Sequence, residues 1–237
     1  MAKHLVSSVR STIPGVLIAC VTGFAQSSLD GVSLGGSPSA PLIINNSMHR
    51  VLAYTLMFQG VNGVSSFSPF SMLGQLRDQP ISNVGIAPGA SWAHNSRPTA
   101  VQAVDAKGQS PFDFASKVAL DSVLFEDGRF VGPDKAGSYD QLTALVQAEK
   151  DVHDIIRTAK DLAQAWTVLE SVAAGQTQPV RDQSRSEKYW LRYLTAYRNF
   201  STKLLRARSN VGDAAAMRLA HMYMFKPKIV KGASDQL

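Results

Sequence analysis

The sequence predicts an α+β protein: a small antiparallel β-sandwich followed by a C-terminal helical hairpin or three-helix region. Three observations carry this. Ahead of Gly132-Pro133-Asp134 the apolar residues alternate at period two, with Val118, Leu120 and Leu124 on one face and Ala119, Val123 and Phe125 on the other. Glu126-Asp127-Gly128 then reads as a tight turn, because glycine accepts the positive φ of a reversal, and Arg129-Phe130-Val131 can pair back. Beyond the Gly-Pro-Asp stop the period lengthens to three and four residues, as a helix requires.

Taken in order, residues 1–25 read as an export signal. Lys3 and Arg10 supply a positive start without an acid, and Ile13 to Val21 supplies an apolar run interrupted by Pro14 and Gly15. A spanning helix needs about 20 apolar residues, so this run is too short to cross a membrane. Two processing routes are open. Leu17-Ile18-Ala19-Cys20 resembles a bacterial lipobox, in which Cys20 would carry the lipid anchor, and Gly23-Phe24-Ala25 resembles a small-x-small cleavage site. A cytosolic N-terminal helix is the alternative. Cys20 is the chain's one cysteine, so neither an internal disulfide nor a site built on several thiolates can form. Residues 26–39, with Ser27 to Ser39 rich in glycine and serine, read as a flexible linker.

The sandwich is expected over 40–134. Pro41 to Asn45 is a short apolar strand ended by the turn-forming Asn45-Asn46-Ser47, and Arg50 to Phe58 is a second strand. Val61 to Asp78 reads as a long surface loop with Phe67, Phe70, Met72 and Leu73 packed beneath it or forming a contact surface. Ile86 to Ser91 is a proline-glycine turn leading into a strand, and Thr99 to Val104 alternates well enough to be another. About six short strands separated by turns point to two packed sheets.

The Asn-Asn-Ser turn, the following Ala53-Tyr54-Thr55, the Pro88-Gly89 pair and the final hairpin together resemble immunoglobulin-like sandwich modules of the FxLYD type. The phrase VLFEDGRFVGPD is similar to one in secreted bacterial proteins that join such a module to a helical tail. The aromatic-Leu-Tyr-Asp string of that family is absent. The resemblance implies fold and export and transfers no catalytic residue.

Residues 135–237 are expected to be helical. Ser138-Tyr139-Asp140-Gln141 has capping-box spacing, and Leu142, Leu145, Val152, Ile156, Ala159, Leu162, Trp166, Leu169 and Val172 follow at helical steps to Gly175. One helix of that length would exceed about 50 Å, so it projects or bends. Ser184-Arg185-Ser186-Glu187 is a second capping box, opening a helix lined by Trp190, Leu194, Tyr197, Leu204 and Leu205. Asn210-Val211-Gly212 breaks it, and Asp213 to Phe225 forms a third helix.

Charge separates the two halves. Residues 1–180 hold 12 Lys+Arg and 14 Asp+Glu, whereas residues 181–231 hold 12 Lys+Arg against Asp182, Glu187 and Asp213. Arg181, Arg185, Lys188, Arg192, Arg198, Lys203, Arg206 and Arg208 interleave with Tyr189, Trp190, Tyr193 and Tyr197. Arginines bind phosphates and aromatics stack on bases, so Arg185, Lys188, Arg192, Arg198, Lys203 and Arg206 are the candidate polyanion-binding residues. An aromatic core stripe with a solvated basic face accounts for the same pattern, as does attraction to an anionic membrane surface or wall polymer.

Asp121, Glu126, Asp127, Asp134 and Asp140 form a loose acidic cluster that could hold a calcium ion, but the calcium-loop motif is missing, and Asp127 and Asp134 read as turn residues. His4, His49, His94, His153 and His221 are scattered, with His153 on a charged helix face. No zinc-protease helix, nucleophile elbow, phosphate-cradling loop or dinucleotide fingerprint occurs, so neither cofactor nor metal is expected. A serine–histidine–acid arrangement assembled from distant segments stays open, since such sites are defined by geometry. The expectation is a non-catalytic exported interaction protein, of periplasm, envelope or medium, whose partner is a protein or an anionic polymer or surface. Binding of nucleic acid or another polyanion through the basic helices is the alternative.

Overall fold

The computed structural model describes residues 28–60, 65–73, 83–94, 115–222 and 228–232. Among them are eight strands in two sheets and four helices, a mixed α+β protein. The export segment with Cys20, the strand expected at Thr99 to Val104 and the end of the last helix at Phe225 lie outside the described residues.

Strands β1 (Val32–Ser37), β2 (Ala40–Asn45) and β5 (Ser91–Ala93) form a three-stranded antiparallel sheet in the order β1-β2-β5. The flexible linker expected over 26–39 is corrected here. Val32 and Leu34 alternate inward, and the chain reverses after Ser37 to put Ala40 opposite it. Gly36 is required, since at φ +77° any Cβ would meet the Ala40 carbonyl oxygen at 2.4 Å. The glycines that suggested a tether serve the geometry of a hairpin.

The larger sheet runs β4-β3-β6-β7-β8. Its centre is β3 (Val51–Gly60) paired antiparallel with β6 (Ala115–Phe125), and every residue from Val51 to Leu56 is buried. One face of β3 meets the other sheet and the other face meets a helix, so alternation gives way to a continuous apolar run. β4 (Ser65–Ser71) pairs with β3 where a surface loop was expected. Its serines and Pro69 suit an edge strand, which needs no donor on its outer side. Met72 and Leu73 are buried and Phe67 and Phe70 half-buried. β7 (Arg129–Val131) pairs back on β6 as expected.

Asp121 and Asp134 bind the sheet to the helical part. The buried Asp121 carboxylate accepts the backbone N–H groups of Lys135 and Ala136 at 2.9 and 3.0 Å. Asp134 Oδ1 accepts those of Ser138 and Tyr139 at 2.6 and 3.2 Å. Ser138 is therefore not the cap of α1 (Ser138–Thr158) but its first residue. Its hydroxyl turns inward to Thr55.

The single long run expected from Leu142 to Val172 is two helices, because Asp161 caps α2 (Leu162–Ala173) by accepting from the Gln164 N–H. After a connection, Ser186 caps α3 (Glu187–Val211), two residues later than the second capping box placed it. Gly212 ends α3 and α4 (Asp213–Met222) follows, giving four helices where two or three were expected. One apolar cluster joins the two sheets and a second lies among the helices, with Leu145 touching both.

The helical region also does not run unbroken to the end of the chain. Val230–Lys231 forms β8, parallel to β7, so the boundary at 134/135 is crossed by a returning strand. Among the described residues no helix is long and apolar enough to cross a membrane.

Candidate functional site

Helix α3 packs against α1, α2 and α4 and presents its remaining face outward. Tyr189, Tyr193, Tyr197, Phe200 and Leu204 recur at steps of four and three and are buried. The three tyrosine rings form a near-parallel ladder, with centroids 6.4 and 5.6 Å apart. The half-buried Trp190 stacks on Tyr193 at 5.2 Å. The Tyr193 hydroxyl donates to Asp151 Oδ2 on α1 at 2.7 Å. Burial first, and the Asp151 carboxylate second, hold the Tyr193 hydroxyl well above its ordinary value, and burial likewise raises Tyr189 and Tyr197. The three tyrosines read as candidates for stacking on bases are thus the core stripe of the helix.

The six candidate cations are exposed but differ in what they do. Arg185 pairs with Asp182 at 3.7 Å and lies 4.9 Å over the Tyr189 ring. Lys188 Nζ donates to the Ala136 carbonyl at 2.9 Å, which fixes its stem, and no carboxylate pairs with it among the described residues. Arg198 rests against the Gly175 backbone at the end of α2. Lys203 lies 5.7 Å from the Phe200 ring. Arg192, Arg198 and Arg206 form no ion pair among the described residues, while Arg208 is taken up by Glu170 and Asp213 at 3.2 and 2.8 Å. Charge is partitioned between neighbours: α1 carries Asp140, Glu149, Asp151 and Asp154 against Lys150 and Arg157, and α3 carries six cations against Glu187.

The acidic residues are dispersed into structural tasks. Asp121 and Asp134 hold the strand-to-helix joint, Glu126 accepts the Arg50 N–H at 3.0 Å, and Asp140 accepts from Ser186 at 2.8 Å. Asp127 accepts from Arg129 at 2.7 Å. Partial burial works to raise the Asp127 carboxyl, and the guanidinium outweighs it and lowers it below the ordinary range. No group of three or more metal-ligating side chains comes together among the described residues.

His153, expected on a charged helix face, is buried together with Glu149 and Val152 on the inner side of α1. His94 belongs to an arrangement that no sequence signal announces. Its Nε2 lies 3.1 Å from Ser68 Oγ and its Nδ1 lies 2.9 Å from Tyr54 Oη. This is the geometry of a nucleophile beside a base, yet Ser68 is 3% and His94 6% exposed and the rings of Phe58 and Phe70 frame the imidazole. His94 follows β5 in one sheet, and its two hydroxyl partners stand on β3 and β4 of the other. The cluster is a polar tie between sheets. A cleft where α1 meets β3 and β4 is lined by Tyr54, Thr55, Phe70, Ser122, Ser138 and Gln141, and its inner hydroxyls, Thr55 and Ser138, satisfy each other. No family model, curated protein or solved structure matches this chain.

Proposed function

We propose that the chain is a non-catalytic interaction protein acting outside the cytoplasm, in the periplasm, the envelope or the medium. Its two sheets form an immunoglobulin-like sandwich of the FxLYD kind, and its helices are the recognition part. Supporting the sandwich is the single apolar cluster that draws Val32, Leu34 and Ile43 from one sheet and Leu56, Leu120 and Leu124 from the other. Export rests on Lys3, Arg10 and the apolar run to Val21. The observation that carries the interaction role is the division of labour among polar side chains. Those of the sheets and of the joint bind one chain segment to another, whereas Arg192 and Arg206 of α3 are exposed and pair with no carboxylate among the described residues. Mass spectrometry of the mature N-terminus tests export: a start at Gln26, or an acylated Cys20, is expected, and an intact Met1 or Ala2 start sinks it.

A second reading is favoured by Arg192 and Arg206, which stand exposed without carboxylate partners among the described residues. In it the partner is a polyanion held by Arg185, Lys188, Arg192, Arg198, Lys203 and Arg206. Retention on heparin that weakens steeply between low and moderate salt is expected, and salt-independent retention argues against it.

A further inference from the structure

Within the polyanion reading, on which this step rests, the side chains of α3 specify what kind of polymer fits. Lys188, Arg192, Thr195, Asn199, Thr202 and Arg206 follow one another at alternating steps of four and three residues. At 3.6 residues per turn such steps keep to one azimuth, so the six form a single stripe about 27 Å long, parallel to the helix axis. All but the half-buried Thr202 are exposed. The hydroxyls of Thr195 and Thr202 donate back to the carbonyls of Leu191 and Arg198 at 2.9 Å each, which leaves Asn199 as the outward donor between the arginines. The stripe carries no carboxylate and no aromatic ring, because Tyr189, Tyr193 and Tyr197 are turned into the core.

We infer that this stripe binds an extended phosphodiester polymer along its backbone, without reading bases. Lys188, Arg192 and Arg206 supply charge and Asn199 a neutral hydrogen bond, so phosphates of one strand, not all of them consecutive, lie along the axis of α3. The exposed Arg198 and Lys203 flank this line, so the positive charge runs lengthwise along one side of α3, as a single strand's phosphates do. A flat anionic bilayer is the poorer match, since insertion needs apolar groups on the outer face. Leu191, 58% exposed, stands to one side of the stripe and alone. Base recognition would need free aromatic faces, which the ladder has used.

The test is fluorescence anisotropy of the full chain with four probes: an abasic single-stranded phosphodiester 20-mer, an oligo-dT 20-mer, heparin, and vesicles of phosphatidylglycerol and phosphatidylcholine. The abasic and dT strands are expected to bind within about threefold of each other. The logarithmic salt slope should be about −2 to −3, at about 0.7 per single-strand phosphate engaged. The variant Arg192→Gln/Arg206→Gln, altering two exposed side chains, should lose at least about tenfold in affinity and flatten that slope by about 1.4. Lys117→Gln/Lys160→Gln should leave both unchanged. Binding by the parent that survives in Arg192→Gln/Arg206→Gln overturns the stripe while leaving polyanion binding intact. A dT strand held ten times more tightly than the abasic strand shows that bases are read, and vesicles bound in preference to every polymer point to a surface; each overturns the inference. Failure to bind any probe at low salt removes the polyanion reading itself.

Discussion

The hydroxyl oxygens of Thr55 and Ser138 lie 2.7 Å apart in the interior, where the central strand β3 meets the first turn of α1. Sheet and helix are therefore joined by a polar contact as well as by apolar packing. Replacing one partner strands the other, and an unmet buried hydroxyl costs more than the pair contributes. Thr55→Val is expected to destabilise by about 1–3 kcal/mol. Thr55→Val/Ser138→Ala should recover part of that loss, because the two effects are coupled. Urea unfolding of both variants measures the difference.

Asp134 does the capping that Ser138 was expected to do, and it does so at φ +55°, a backbone region in which Asn is also at ease. Asp134→Ala should cost about 1–2 kcal/mol, as loss of an N-cap does, with the alanine further strained at positive φ. Asp134→Asn should retain most of the stability. Thermal melts followed by circular dichroism separate the two.

Removal of His94 withdraws the shared partner of two buried hydroxyls, Tyr54 Oη and Ser68 Oγ. His94→Leu should lower stability by about 2–4 kcal/mol, with the slope of ΔG against urea unchanged. Ser68→Ala should cost less, since the imidazole keeps its bond to Tyr54. A structural tie predicts this order, and a Ser68→Ala loss larger than that of His94→Leu refutes it.

Tyr54, Tyr189, Tyr193 and Tyr197 all have hydroxyls raised above the ordinary tyrosine value, burial being the first cause in each. The folded chain keeps protons that the unfolded chain releases above pH about 10. Their contribution to stability is therefore complete below about pH 10 and falls as pH rises beyond it. Urea midpoints measured from pH 8 to 11 should decline only at the alkaline end. Tyr193→Phe, weakened at neutral pH by loss of the bond to Asp151, should decline less steeply.

How much of this was legible depended on whether the signal was local. The hairpin at Val118 to Val131 declares itself because pleat and turn chemistry agree over adjacent residues. β1 and β4 were hidden for the same reason as each other: glycine, serine and proline dominate both, and those residues also make tethers and loops. The break at Asp161 was masked because Ala159 and Leu162 continue the apolar rhythm across it. On α3 the basic face could be read off directly. The inward turn of the tyrosines was also available, since 189, 193 and 197 fall in one row that Phe200 and Leu204 extend. The union of His94 with Ser68 and Tyr54 was not, because it spans 26 and 40 residues and only the stacking of one sheet on the other creates it.

Pairing Arg129 with Val230 closes a circuit of about 100 residues through all four helices. Closing a circuit of that length costs more chain entropy than closing a hairpin such as β6-β7. The outermost ladder of the larger sheet therefore depends on α1 to α4, whose folding brings Val230 back to Arg129.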